Sequence, residues 1–203
     1  ADILLPHVLG DSSAVSHAAT AWQTVVDEGD LVVAFGGLNP KNWRVTSGGA
    51  GFHHMPGWVE AARQRGVEFG VVSPLGEDVP EGCQASWIAP RPNSDTAILL
   101  ALAREMVVRG RADLGFLDRY CDGVDRFLGY LEGTEDGVIK TLAWAALLAD
   151  VPEAELKGLA DRIASSRRVM LATGWSLERA DHGEQRYWGT IALEVGLGQI
   201  GVP

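Results

Sequence analysis

One segment of the chain, residues 174–185, collects side chains that suit a polar ligand. It contains a tryptophan, an arginine and a histidine beside hydroxyl, amide and acidic side chains. The fork of Arg179 can bind an oxygen-rich group, and His182 can exchange a proton near neutral pH. Trp175 suits either a stacking wall or an anchor in the core. A connector this long and rich in donors predicts a ligand-binding turn, although each residue alone is more often structural.

A second candidate loop, residues 36–51, follows a short apolar run that predicts a buried strand. Gly36 and Gly37 at its start let a backbone approach an anion closely, and Lys41 and Arg44 can meet phosphate charge. A surface loop with turn glycines is an equal alternative on the residues alone.

Acidic side chains follow two more predicted strands. Asp78 lies in the loop 73–82, where an acid of a doubly wound fold can bind ribose hydroxyls; an ordinary capped turn is the alternative. Asp95 ends the turn 90–95, and its carboxylate can accept two hydrogen bonds from a guanine edge. An acid beside Ser94 and before an apolar helix is more often an N-cap, and the residues alone favour that cap.

Several familiar chemistries find no support in the residues. The glycine fingerprints of NAD sites and of P-loops are absent after the first predicted strand. No nucleophile–histidine–acid triad and no pair of catalytic carboxylates can be assigned. Cys83 and Cys121 lie far apart without metal-ligand spacing, and the adjacent His53 and His54 are poorly spaced for one metal. No metal ligands are therefore predicted within the chain.

Alternating strands and helices position these loops. The predicted strands are 31–35, 67–72, 85–88 and 168–173. The predicted helices are 11–27, 55–65, 96–109 and 183–196, with a wholly helical insertion at about 111–166. This order predicts one α/β domain, residues 1–203, with a doubly wound, mostly parallel sheet. Parallel strands end at one edge, so we expect the four loops to converge there.

Charge and hydropathy exclude two classes of partner. The chain has 203 residues and a formal net charge of −10, which argues against nucleic acid and against anionic membrane surfaces. No apolar run approaches the roughly 20 residues of a membrane span. A small phosphorylated ligand is compatible with this charge, because local backbone N–H groups can outweigh it.

Several longer motifs resemble one enzyme family from end to end. Gly-Trp-Ser-Leu-Glu-Arg-Ala-Asp-His-Gly-Glu-Gln at 174–185, followed by Leu-Gly-Gln-Ile-Gly at 197–201, resembles the dimethyl sulfoxide reductase family. The resemblance is to its biotin sulfoxide, trimethylamine N-oxide and dimethyl sulfoxide reductases in particular. Further matching stretches are 3–10, 92–97, 116–121 and 130–145.

The resemblance implies a molybdenum enzyme with two molybdopterin guanine dinucleotides (bis-MGD), one of them held by a Rossmann-like α/β domain like this chain. By position, it implies cofactor contacts in the strand-following loops and in the Trp175 turn. These residues are Gly36, Asn39, Lys41, Ser73, Pro74, Asp78, Asn93, Asp95, Ser176, His182 and Gln185. Trp175 and Arg179 match residues that face the substrate pocket. With the resemblance, Asp95 is expected to be a ligand rather than a cap.

The chain also departs from the family pattern. Its first loop, 37–44, differs from the Trp-Gly-Ser-Asp-Pro type, and its loop 75–78 lacks the family's ribose-binding arginine. The family's molybdenum-ligating serine would precede Ile3, outside this chain. We therefore expect a fragment of a larger enzyme, without oxide reductase activity on its own.

The implied function is to bind one guanine dinucleotide half within a bacterial reductase of small S-oxides or N-oxides, in contact with the remaining domains of that enzyme. Its compartment would be the cytoplasm or the periplasm, with the cytoplasm slightly favoured. Two alternatives stay open. One is a non-catalytic structural or assembly domain with the same fold. The other is a nicotinamide dinucleotide-binding domain, which the missing fingerprint disfavours.

Overall fold

The computed structural model of the chain describes residues 3–11, 20–44 and 53–201. These residues divide into two units. The sheet unit comprises the residues up to Ala89 together with Ser166–Leu177, and the helical unit comprises Pro90–Ser165 together with the residues from Glu178 onward. The single domain expected over residues 1–203 stays a prediction.

Four parallel strands form the sheet of the sheet unit. They are β1 (Leu31–Phe35), β2 (Glu68–Val72), β3 (Ser86–Ile88) and β4 (Val169–Thr173), in the order β3-β2-β1-β4. Every residue of β1 is buried, which explains its uninterrupted apolar sequence, since a central parallel strand is covered on both faces. Leu31 of β1 lies opposite Glu68 of β2 and Val169 of β4. The four predicted strands are confirmed.

The order in which the chain adds strands to the sheet reverses beside β1. From β1 the chain adds β2 and then β3 on one side, and it later returns to add β4 on the other side. Such a switch point leaves a crevice at the carboxyl ends of its two flanking strands, where doubly wound folds bind ligands. The expected α/β class with a parallel sheet is therefore confirmed, and the loops after β1 and β4 flank its switch point.

Three described helices belong to the sheet unit: α1 (Leu5–Leu9), α2 (Trp22–Glu28) and α3 (Met55–Gln64). Val25 of α2 and Val59 of α3 join Val32 and Phe69 in one apolar cluster, so these helices cover the sheet with their apolar sides. The helix predicted at 11–27 is confirmed in its C-terminal part, and residues 12–19 lie outside the described residues. The loop predicted at 36–51 contains a 3-10 turn, Pro40–Arg44, and residues 45–52 also lie outside.

The helical unit is built around one apolar helix. Its helices are α4 (Asp95–Val108), α5 (Leu114–Tyr120), α6 (Val124–Leu131), α7 (Leu142–Ala149), α8 (Glu153–Ser165) and α9 (Glu184–Gly196). Helix α4 contacts α6, α7, α8 and α9 and buries Ile98, Leu99 and Leu102. At Gly189 of α9 an added Cβ would lie 3.3 Å from Leu99, so the glycine permits close packing. In the described part of the chain, no helix is long and apolar enough to cross a membrane.

Candidate functional site

Asp78 links the loops that follow β1 and β2. One carboxylate oxygen accepts a hydrogen bond from Asn39 Nδ2 at 2.8 Å, and the other accepts one from Ser73 Oγ at 2.5 Å. The backbone N–H of Leu38 donates to the carbonyl of Asp78 at 2.9 Å. Ser73 is buried and Asp78 is half-buried. Three predicted cofactor residues, Asn39, Ser73 and Asp78, therefore form one network within the sheet unit.

Two glycines allow these loops to approach so closely. Gly36 and Gly37 adopt φ values of +79° and +88°, in the left-handed region that favours glycine. A Cβ added at Gly37 would lie 2.4 Å from the Cβ of Asp78, and one added at Gly36 would lie 2.9 Å from Leu177 Cγ. The N–H of Gly174 donates to the carbonyl of Phe35 at 2.8 Å. Loops after β1, β2 and β4 thus meet at the switch point.

Lys41 and Pro74 lie on the exposed side of the same loops. The Lys41 side chain is 81% exposed, and its Nζ lies 3.9 Å from Glu77 Oε2. A contact of this length between solvated charges contributes little, so the ammonium is available to an anion. The backbone N–H of Lys41 donates to Asn39 Oδ1 at 2.9 Å. The turn below the ammonium is therefore held by a side chain of the Asp78 network.

The residues predicted to face a substrate lie in a short exposed turn. Trp175–Arg179 form a 3-10 turn directly after β4, and Trp175 is 78% exposed. Ser176 and Arg179 are exposed as well. An exposed indole is not an anchor in the core of this unit. Of the two roles expected for Trp175, only the stacking wall is compatible with this placement.

His182 and Gln185 follow in the helical unit. His182 adopts φ +52°, and its ring nitrogens lie 3.8 Å from Asp181 and 3.9 Å from Glu184, with the side chain 77% exposed. Gln185 is half-buried, and its Nε2 lies 3.5 Å from Glu184 Oε1. A backbone hydrogen bond at the start of α9 lowers the pKa of Glu184. The start of α9 therefore offers solvated polar groups beside an ionised carboxylate.

Asp95 and Asn93 are engaged by an arginine that the sequence did not single out. Arg186 Nε lies 3.3 Å from Asp95 Oδ2, and Arg186 Nη2 donates to Asn93 Oδ1. The Arg186 side chain is 2% exposed and that of Asp95 is 5% exposed. The N-cap of α4 is Ser94, whose hydroxyl donates to the Arg91 carbonyl at 2.6 Å. The cap interpretation of Asp95 is therefore wrong, because the carboxylate points to a buried counter-ion.

Burial dominates the electrostatics of Asp95. Removal of water raises the pKa of this carboxyl, and the positive charge of Arg186 lowers it only in part. One signal in the sequence could have drawn attention to Arg186: it stands beside Tyr187 in the first turn of a helix whose later residues are mostly apolar. A charged side chain at such a position needs a partner, but periodicity does not identify that partner.

The described residues hold no group of three or more His, Cys, Asp or Glu side chains that could bind a metal ion. Cys83 is buried and Cys121 half-buried, and both are free thiols. The site consists instead of loop backbone, amides, carboxylates and exposed cations. Such donors and acceptors suit an oxygen-rich organic ligand such as a nucleotide.

Known proteins match the chain over nearly its full length. It is 38% identical over 201 residues to biotin sulfoxide reductase of Cereibacter sphaeroides, a match that covers 99% of this chain and 27% of the relative. It is 35% identical over 207 residues to dimethyl sulfoxide/trimethylamine N-oxide reductase of Rhodobacter capsulatus, covering 100% of this chain and 24% of that relative. Trimethylamine-N-oxide reductase of Haemophilus influenzae is 31% identical over 214 residues, with the same two shares. The chain belongs to the dimethyl sulfoxide reductase family.

Membership of the dimethyl sulfoxide reductase family concerns a segment, because the chain spans about a quarter of the length of these relatives. No family model matches the sequence. Among solved structures, acetylene hydratase from Pelobacter acetylenicus is similar with a TM-score of 0.67 and 16% sequence identity. That similarity covers 89% of this chain and 24% of the hydratase, and it supports the fold.

Proposed function

We propose that this chain is the part of a molybdenum-dependent S-oxide or N-oxide reductase that holds one guanine dinucleotide half of a bis-MGD cofactor. The observation that carries the proposal is the switch point of the sheet, where glycine-containing loops after β1 and β4 meet. Ligands of doubly wound folds bind at this position. Membership of a family of oxide reductases supports the chemical identity of the ligand.

The loops of the sheet unit supply the phosphate and ribose contacts in this proposal. Gly36 offers backbone without a side chain, and the exposed Lys41 offers a positive charge to a phosphate. Asn39, Ser73 and Asp78 keep these loops in place through their own hydrogen bonds. Pro74, which is exposed beside Ser73, would line the same ligand.

The remaining predicted residues receive roles on the base, the pterin and the substrate. Asn93 and Asp95 would bind the guanine base, because a carboxylate accepts the hydrogen bonds that guanine N–H groups donate. Three residues would contact the pterin: Ser176, His182 and Gln185. Trp175 and Arg179 would orient the oxide oxygen of the substrate, the indole by stacking and the guanidinium by donation.

The molybdenum cofactor, when bound, supplies two-electron oxygen-atom chemistry. The residues of this chain bind and orient, and the remaining domains of the parent enzyme complete the site. We therefore expect no reductase activity from the 203-residue chain alone. A methyl viologen assay with S-oxides and N-oxides tests this expectation, and robust turnover by the chain would contradict it.

Isothermal titration of the chain with guanosine diphosphate tests the binding role. Lys41→Ala should weaken binding by about tenfold at low salt, because a charge-assisted contact to phosphate is lost. Lys157→Ala, at an exposed position of α8, is the matched control and should leave affinity unchanged. Asp95→Asn should weaken guanosine diphosphate binding as well, since it removes the anionic acceptor.

The same titrations separate the proposal from its alternatives. No binding of guanosine diphosphate, or equal affinities for the Lys41→Ala and unsubstituted chains, would favour a structural or assembly domain. Binding of a reduced nicotinamide dinucleotide, detected by its fluorescence, together with no guanosine diphosphate binding would favour the nicotinamide alternative.

A further inference from the structure

We propose that Arg186 determines the purine specificity of this chain, by keeping the Asp95 carboxylate an anionic acceptor and by turning the Asn93 amide so that its NH₂ group faces a ligand. This inference rests on the proposed guanine dinucleotide binding and extends it. Arg186 is then a positioning residue: it acts on the base through Asn93 and Asp95.

The contacts around Arg186 are those of a fixed side chain. Its Nε lies 3.3 Å from Asp95 Oδ2, and its Nη2 donates to Asn93 Oδ1. The hydroxyl of Thr190 donates to the Arg186 carbonyl at 2.8 Å, one turn along α9. Only 2% of the Arg186 side chain is exposed. The planar guanidinium therefore reaches two acceptors of the same turn at once, which the point charge of a lysine cannot reproduce.

The hydrogen bond to Asn93 decides which end of its amide is available. Because Oδ1 accepts from Arg186, the Nδ2 group is left as the donor. The turn itself is held by the Ser94 hydroxyl on the Arg91 carbonyl at 2.6 Å and by Arg91 N–H on the Ala149 carbonyl at 2.7 Å. Asn93 adopts φ +74°, a conformation that asparagine tolerates better than most residues. Its amide is thus presented by an ordered backbone.

The two side chains together form a pattern that matches one purine. Guanine presents a carbonyl acceptor beside two N–H donors, whereas adenine presents an amino donor beside a ring acceptor. An amide donor at Asn93 and an anionic acceptor at Asp95 complement guanine and oppose adenine. A site built for hydrogen bonding rejects the wrong partner because its own buried polar groups are then left unpaired.

The charge of Arg186 is needed because Asp95 is buried. Desolvation raises the pKa of Asp95, and Arg186 is the charged group that opposes this shift. The other charges near the ends of α4 and of its neighbours are engaged elsewhere or lie in solvent. Arg91 pairs with Asp150 at 3.4 Å after α7, Arg104 pairs with Glu132 at 3.0 Å after α6, and Glu184 lies at the start of α9. Arg109 pairs with Glu105 and with Asp161 of α8.

The experiment measures affinities of the 203-residue chain for guanosine diphosphate and adenosine diphosphate by calorimetry, between about pH 6 and about pH 9. Arg186→Met should lower the affinity for guanosine diphosphate about tenfold near pH 7 and leave that for adenosine diphosphate unchanged. The loss should shrink as the pH rises, because Asp95 then ionises without help. Arg109→Met is the matched control: it removes a paired arginine directly after α4, at the end of the helix opposite to Asp95, and should preserve the purine preference.

Arg186→Lys keeps the charge and loses the fork, and it covers the case in which Arg186→Met does not fold, as judged by circular dichroism. The affinity of Arg186→Lys for guanosine diphosphate should not show the pH dependence expected for Arg186→Met. Its preference for guanosine diphosphate over adenosine diphosphate should nevertheless be smaller than that of the unsubstituted chain. A purine preference and pH profile equal to those of the unsubstituted chain in both variants would overturn the role of Arg186 alone. No binding of guanosine diphosphate by the unsubstituted chain would overturn the proposed function, and this inference with it.

Discussion

The carboxylates of Asp78 and Asp95 differ in the groups that they contact. Asp78 is half-buried and accepts hydrogen bonds from the neutral side chains of Asn39 and Ser73. Asp95 is buried and faces the guanidinium of Arg186. Hydrogen bonds from neutral donors contribute modestly to stability. A buried ion pair, in contrast, leaves an unbalanced charge when either partner is removed. The two regions should therefore respond differently to the loss of their acid.

The largest expected effect is at the buried pair. Asp95→Ala should lower the free energy of unfolding by about 3–5 kcal/mol, because the buried guanidinium of Arg186 would lose the carboxylate that faces it. Urea denaturation measures the loss. Asp150→Ala is the control, since it breaks an exposed pair to Arg91 and should cost at most about 1 kcal/mol. Equal losses for the two variants would show that the buried pair is not special.

The next largest loss of stability is expected where the loops of the sheet unit approach each other closely. Gly37→Ala should cost about 2–4 kcal/mol, since the added Cβ meets Asp78 and the backbone has a positive φ. Gly66→Ala separates these causes, because its φ is +91° and nothing lies within 4 Å of an added Cβ. Thermal or urea unfolding should show the smaller loss for Gly66→Ala, and the reverse order would contradict the contact between Gly37 and Asp78.

Loss of the Asp78 carboxylate is expected to lower the free energy of unfolding less than loss of the Asp95 carboxylate. Asp78→Ala should lower the free energy of unfolding by about 1–3 kcal/mol, because two donors lose their acceptor but no charge is stranded. The double variant with Ser73→Ala should lose less than the sum of the single losses, since both act on one hydrogen bond. Strict additivity in urea denaturation would mean that Ser73 and Asp78 do not interact in solution.

Alkaline pH should lower the free energy of unfolding gradually, and it should act on the two units in sequence. Burial raises the pKa of Cys83 in the sheet unit to about 11 and that of Tyr187 in the helical unit to about 12. The protonated thiol and the protonated phenol stabilise the fold fully below their ordinary pKa values of 9.0 and 10.0. These contributions are lost as the pH rises through the raised pKa values. The slope is at most about 1.4 kcal/mol per pH unit for each group.

Urea midpoints measured between about pH 8 and about pH 11 test this order. Cys83→Ala should remove the first part of the decline, and Tyr187→Phe should affect only the part at higher pH. The half-buried Cys121 provides a graded comparison: burial raises its pKa too, so Cys121→Ala should remove a smaller part of the decline than Cys83→Ala. A decline that Cys83→Ala does not alter would assign the alkaline loss to other groups.

Local patterns predicted the elements and many of the loops in which polar residues lie. The apolar runs of β1 and β4 and the glycines after them identified two parallel strands and the loops that flank the switch point. The Asp78 network was predicted only as a set of nearby residues, because a sequence gives no hydrogen-bond partners. The residues alone favoured an N-cap at Asp95, and that interpretation was wrong, because the N-cap is Ser94. Cap statistics consider only neighbours in the sequence.

The sequence by itself determined the α/β class, the parallel strands and the family to which this segment belongs, because these depend on side-chain periodicity and on motifs that are continuous in the chain. Tertiary structure alone decided that Asp95 meets Arg186, 91 residues away, and that Asp78 holds Asn39, 39 residues away. Such pairs form only when separate elements pack, so no local pattern of residues encodes them. The physical reason is that a buried charge needs an opposite charge, and the packing of the helices determines which one lies within reach.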